Sequence, residues 1–413
     1  MSSSSLTPAG RPAGDPAAPT RHQATTAPPS ATTASPSMAE PSFAGAALPS
    51  SGETSATGGS PVSAPGTGSG WVGYAAAIWA AVYGVVALVW TITGSGFPFG
   101  RDDPQGRSGP LRDLTPEVGA PIFAAVLLSA AVACLAMAGP HAVRPSRAGR
   151  AVLLGFGWAV AIALLVLVPT VNVLALTGYA PMLILGAPFG WPGDVDYGNV
   201  FTWSLGNQVW SMLGGFLVAF AVLSWQRRSR GACARCGRDR DFSGADRLRI
   251  AMWGGRATIV AVLIPLLYSV SRYAWLAGVP LGISDEMLTD LWDSGGVWAG
   301  AGLATFAVVG AILTLGLVQR WGEVFPRWMI GLAGRRVPIK LAVIPAAYVV
   351  PIVISGGLGI IFAPEIEHLT GDYSPILVAT HALWPLWGVA LAIATYGYHV
   401  RRRGACGTCG SQG

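Results

Sequence analysis

Eight apolar runs, each close to the roughly 20 residues that cross a hydrocarbon core, constrain this chain more than any other feature. They fall at about 72–94, 119–138, 151–175, 206–225, 257–277, 297–318, 341–362 and 376–398. Backbone amides in lipid must be bonded within their own segment, and the runs lack the alternation of barrel strands, so each is predicted to be a helix. Only 11% of the 413 residues are charged, against roughly a quarter in a soluble domain, which excludes an ordinary water-soluble enzyme. The expected fold class is an all-α integral membrane protein whose surroundings are a lipid bilayer. Residues 1 to about 70 are dominated by Ser, Thr, Ala, Pro and Gly without an apolar run. They are predicted to form a disordered tail with no secretory signal, leaving insertion to the first span.

Charge orients the helices. Twenty of the 26 basic residues lie in 139–150, 226–256, 319–340 and the C-terminal tail, whereas the intervening loops hold only Arg101, Arg107 and Arg112. Basic loops are retained in the cytoplasm, so both termini are expected there, in the plasma membrane, with 95–118, 176–205, 278–296 and 363–374 external. The same asymmetry accounts for the net charge of +6 without invoking nucleic acid.

Two landmarks recur. RRSRGACARCG ends at 237 and HVRRRGACGTCG at 410, each closing a group of four runs. Tyr83 and Trp90 precede a turn with Gly96, Pro98 and Gly100; Tyr268 and Trp275 precede one with Gly278, Pro280 and Gly282. This order predicts two parallel four-helix repeats, 71–237 and 257–410, joined by an arginine-rich cytoplasmic linker at 238–256.

Cys233 and Cys236 form one CxxC pair, and Cys406 and Cys409 the other, each followed by glycine. Two intervening residues let a tight turn present both sulfurs to one tetrahedral ion, and the glycine tolerates the conformation such a turn needs. Parallel repeats would deliver both pairs to one height, where four thiolates could bind Zn²⁺. A reversible dithiol or free reduced cysteines are the alternatives. Known four-cysteine zinc modules keep their pairs close in sequence, so a shared site here has to be assembled by the fold. Cys134, inside the second run, reads as a packing residue.

Within the spans, Arg272 is the one full charge. It stands near the external end, where it could snorkel outward or pair with Asp285, Glu286, Glu365 or Glu367. His381 in the eighth run and Gln208 in the fourth occupy similar places relative to their cysteine pairs, with Asn207 beside the latter. These three, Arg272, His381 and Gln208, are candidates for a polar site between the repeats, or else bond neighbouring helices. Prolines at 169, 265, 345, 351 and 385 are expected to interrupt spans. The apolar 176–205 loop is expected to lie in the interface or to dip back into the membrane.

GSGFPFGRDDP after the first run and WGEVFPRWMIGLAGRRVP between the sixth and seventh resemble polytopic membrane proteins of unassigned function common in actinobacterial genomes, over roughly 71–410. The resemblance implies a multi-pass architecture and transfers no functional residue. In the second stretch Glu323 sits among Arg320, Arg327, Arg335 and Arg336, a pattern suited to an anionic lipid surface. No nucleotide, hydrolase or metalloprotease motif lies on a suitable element, so no catalytic residue is assigned. Two functions fit: a transporter or permease with a polar site at the repeat interface, or a structural or regulatory membrane protein with a four-cysteine zinc or redox clamp. An enzyme acting on lipid or quinone through a dithiol fits less well, for want of a general base.

Overall fold

The computed structural model describes residues 70–101, 103, 109–139, 146–189, 197–233, 236–238, 243–362, 374–407 and 409–410. The predicted N-terminal tail lies outside these apart from Gly70. Among the described residues every extended element is a helix; isolated bridge residues occur at Ile283 and between Val324 and Arg336, the latter pair antiparallel. In chain order the helices are α1 (Gly70–Thr93), α2 (Pro116–Ala138), α3 (Arg147–Ile162), α4 (Val171–Gly186), α5 (Tyr197–Val200) and α6 (Trp203–Ser229). The rest are α7 (Gly244–Leu276), α8 (Asp285–Asp293), α9 (Gly296–Leu315), α10 (Ile339–Ile361), α11 (Pro375–Ala382) and α12 (Trp384–Arg402). Eight spans are long and apolar enough to cross a membrane, and each overlaps one of the eight predicted runs.

Four boundaries differ from expectation, each for a local reason. The third span does not reach 175. It passes through a π-helical turn at Ala163–Leu167 and stops before Pro169, which has no N–H to continue it. The apolar stretch beyond is then not a loop at its start but a separate helix, α4, lying against α10. The fifth span starts at Gly244, not 257, because Ser243 and Asp246 form a reciprocal capping box that starts the helix inside the arginine-rich linker. The eighth span is divided at Leu383, just before Pro385, into α11 and α12. By contrast Pro265, Pro345 and Pro351 lie within continuous helices and interrupt nothing.

The helices pack as one unit. In the first half α1 lies against α2 and α6, and α3 against α6; in the second, α7 lies against α9 and α12, and α10 against α12. Lipid offers no hydrophobic drive for this association, so small residues that let backbones approach matter most. At the α7–α12 crossing Gly254 and Gly397 face each other, and a Cβ built on Gly397 would stand 2.8 Å from the Gly254 Cα. The halves meet where α4 and the π turn lie on α10: Gly356 admits Leu174, and Val173, Leu205, Met212 and Ile352 form a buried apolar cluster.

Candidate metal centre

Helices α6 and α12, the last of each half, end at the same end of the bundle and each runs directly into a cysteine turn. The turns share one backbone solution. The Gly237 N–H donates to the Cys233 carbonyl at 2.7 Å, and the Gly410 N–H donates to the Cys406 carbonyl at 2.9 Å. Both glycines have φ of +68°, a conformation that a side chain would strain. At Gly237 a Cβ would also meet the Arg227 guanidinium at 2.8 Å.

The four sulfurs converge. Cys233 Sγ lies 3.9 Å from Cys406 Sγ, and Cys236 Sγ lies 3.6 Å from Cys409 Sγ, so the close pairs join one half to the other. All four lie within 4.8 Å of one another. A tetrahedron with Zn–S bonds of about 2.3 Å has edges of about 3.8 Å, so the cluster is of a size to hold an ion such as zinc. Cys406 is buried, Cys233 and Cys236 are half-buried, and Cys409 is exposed. Burial pushes the Cys236 thiol up to about 12, the Arg238 backbone amide opposes this, and the three neighbouring thiols add to the rise. Four thiols this close do not ionise together unless a cation compensates them.

Two arginines bracket the cluster reciprocally. Arg238, from the first half and itself buried, donates to the carbonyls of Arg403 and Gly404 at 3.3 and 2.8 Å. Arg403, from the second half, donates to the Cys236 carbonyl at 3.2 Å. Sequence reasoning noted nearby arginines without singling these out; their one visible signal is that Arg238 lies two residues after Cys236 and Arg403 three before Cys406.

The intramembrane candidates fall into two clusters, with no hydrogen bond joining them among the described residues. Gln208 is fully enclosed: its Oε1 accepts from the Thr170 N–H at 2.9 Å and hydroxyl at 3.0 Å, and its Nε2 donates to Ser204 Oγ at 3.2 Å. It thereby satisfies the first free amide after the Pro169 break. Ser204 in turn donates to Asp103 at 2.5 Å. Nearby, the Tyr83 hydroxyl donates to Asn207 Oδ1 at 3.0 Å. The cavity beside Gln208 measures about 10 Å³, no more than a single water needs.

His381 and Arg272 do meet. The His381 Nδ1 lies 2.8 Å from the Leu377 carbonyl, so that nitrogen carries the proton and Nε2 accepts from Arg272, 3.3 Å away. The guanidinium also stacks 4.0 Å from the Trp275 ring centroid and 4.9 Å from that of Tyr268. Among the described residues Arg272 forms no ion pair; Asp285 and Glu286 do not reach it, and Glu365 and Glu367 lie outside them. Glu323, in the arginine-rich loop before α10, pairs with Arg401 of α12 at 3.2 Å.

No family model, curated protein or solved structure matches this chain.

Proposed function

We propose that this multi-pass membrane protein is built of two parallel four-helix units clamped at their cysteine-bearing end by one Zn²⁺ bound to Cys233, Cys236, Cys406 and Cys409, in a structural or regulatory role. The observation that carries the reading is the convergence of four sulfurs from segments 173 residues apart. A site with four protein ligands keeps no open position for substrate, which favours structure over catalysis. Zinc with four thiolates carries a net charge of −2, and Arg238 and Arg403 lie against the site to offset it.

The repeated helix pairing supports tandem duplication, as do the two matching turns, in which Gly96, Gly100, Gly278 and Gly282 all have positive φ. The arginine asymmetry supports a cytoplasmic position for the clamp. Transport is disfavoured by the apolar, close-packed contact between the halves and by the full engagement of Gln208.

Elemental analysis of the purified full-length protein tests the clamp. About one zinc per chain is expected, falling to background in Cys406→Ser/Cys409→Ser. Zinc content unchanged by that double substitution would falsify the proposal. A metal-free protein with Cys233–Cys406 and Cys236–Cys409 disulfides would replace it with the redox reading.

A further inference from the structure

A large cavity is lined by none of the cysteines. α9 packs on α7 and α10 packs on α12, leaving a groove between α9 and α10 floored by Trp387 and Leu391 of α12. Its volume is about 980 Å³, and its lining includes Leu313, Trp321, Phe325, Met329, Pro345 and Trp387. Ile312, Leu313 and Leu341 at its edge are exposed.

One wall of the groove is built by glycines. Gly322 approaches Gly316 so closely that a Cβ would sit 1.8 Å from the Gly316 carbonyl oxygen, and the Trp321 ring, which lines the groove, lies where a Cβ on Gly316 would meet it at 2.7 Å. α12 ties this turn down: Tyr398 donates to the Gly322 carbonyl at 2.8 Å, Arg401 to that of Leu317 at 2.6 Å and Arg402 to that of Val337 at 2.8 Å. Beyond it a hairpin-like finger is closed by the Phe325 amide on the Arg335 carbonyl, 3.0 Å, and the Val337 amide on the Glu323 carbonyl, 2.9 Å. Its tip projects Trp328 and Ile330, 77% and 99% exposed. An aromatic and an aliphatic side chain held out beside a membrane span suit the headgroup boundary.

Charge identifies the occupant. Arg320, Arg327, Arg335, Arg336 and Lys340 are all exposed around this finger, while the single carboxylate among them, Glu323, is engaged by Arg401. At roughly 30 Å³ per methylene-sized group, the groove has room for about thirty such groups, the content of two acyl chains. We infer that the α9–α10 groove binds one anionic phospholipid from the adjacent leaflet, its chains beside Trp321 and its phosphate against the basic finger. The site is independent of the zinc clamp: it shares no residue with it.

Native mass spectrometry of delipidated full-length protein, offered equimolar phosphatidylglycerol and phosphatidylcholine of identical chains, tests the inference. One phosphatidylglycerol should be retained with at least a tenfold preference, and Arg335→Gln/Arg336→Gln should abolish that preference. Ala342→Phe/Ala346→Phe, which fills the groove, should lower binding of both lipids. Equal retention of the two lipids by the wild type overturns the inference, as does a preference that survives Arg335→Gln/Arg336→Gln or a retention of both lipids unchanged by Ala342→Phe/Ala346→Phe. So does displacement of the lipid by free glycerol phosphate alone, which would mark a surface anion site. Should the filled variant not fold, phosphatidylglycerol brominated in its chains must quench the wild type more strongly than Trp321→Phe; equal quenching is an equally adverse result.

Discussion

Gln208→Leu isolates the role of a buried amide in a membrane helix break. The substitution roughly conserves volume but removes an acceptor of two bonds and a donor of one. The Thr170 amide, left behind Pro169 without a partner, should cost about 1–3 kcal/mol. The two side-chain contacts, to the Thr170 hydroxyl and to Ser204, add about 0.6 kcal/mol each on the scale measured in bilayers. A loss of about 2–4 kcal/mol is therefore expected by reversible unfolding in mixed micelles. Thr170→Val removes the hydroxyl's bonds to Gln208 and from the Asn172 N–H but keeps the Thr170 amide on Gln208, so the double variant should be less destabilised than the two singles added together. A Gln208→Leu protein within about 0.5 kcal/mol of wild type would refute the reasoning, since surface-like tolerance at a fully enclosed amide means that the bonds do not form.

Other perturbations read other parts of the fold. Gly237→Val or Gly410→Val, forcing a branched side chain into positive φ, should weaken zinc retention against a chelator, measured by metal release from intact protein. Arg238→Gln should weaken it about 10–100-fold, the usual consequence of removing a group that orients metal ligands, without emptying the site as Cys406→Ser does. Gly397→Val should separate α7 from α12 and cost about 1–3 kcal/mol of overpacking, seen as a lower unfolding midpoint. Arg272→Lys should lose about 1–2 kcal/mol, because an ammonium does not reproduce the guanidinium's stacking on Trp275 and Tyr268; unfolding beside Arg272→Gln checks this.

The spans were legible because lipid imposes one rule on every residue of a segment, and twenty apolar positions in a row satisfy it in few other ways. Their ends were less legible because local chemistry sets them. The Ser243–Asp246 capping box is visible as a sequence pattern, but the arginines that follow read as linker, and charge concealed between three and four turns of helix, from Gly244 to 257. Pro169 announced a break without showing that Gln208, 38 residues beyond Thr170, would satisfy the exposed amide. The cysteine cluster was approachable because each pair follows the last helix of its half. Spacing alone argued against it, since a separation of 173 residues carries no information on proximity. The partner of Glu323 was not legible for a similar reason: α12 brings Arg401 to it from the far end of the chain.

The position of the cysteines follows from what holds two membrane units together. Leu174 in the hollow at Gly356 and the Val173, Leu205, Met212 and Ile352 cluster are van der Waals contacts, which acyl chains can nearly reproduce if the halves part. At the opposite end the halves are also joined by Arg112 donating to the Phe362 carbonyl, a hydrogen bond open to competition from water. Four thiolate–metal bonds beyond the helix ends are not replaced by water as a single hydrogen bond is. In the proposed parallel arrangement the ends of α6 and α12 come to one height, so a two-thiol turn on each would supply four ligands without extra chain. In the proposed architecture, each half contributes a bidentate ligand too weak to hold the ion alone, and metal occupancy reports that the halves are assembled. Such a clamp acts on the α4–α10 contact between the units, leaving the α1–α2 and α7–α12 contacts within them to their own packing.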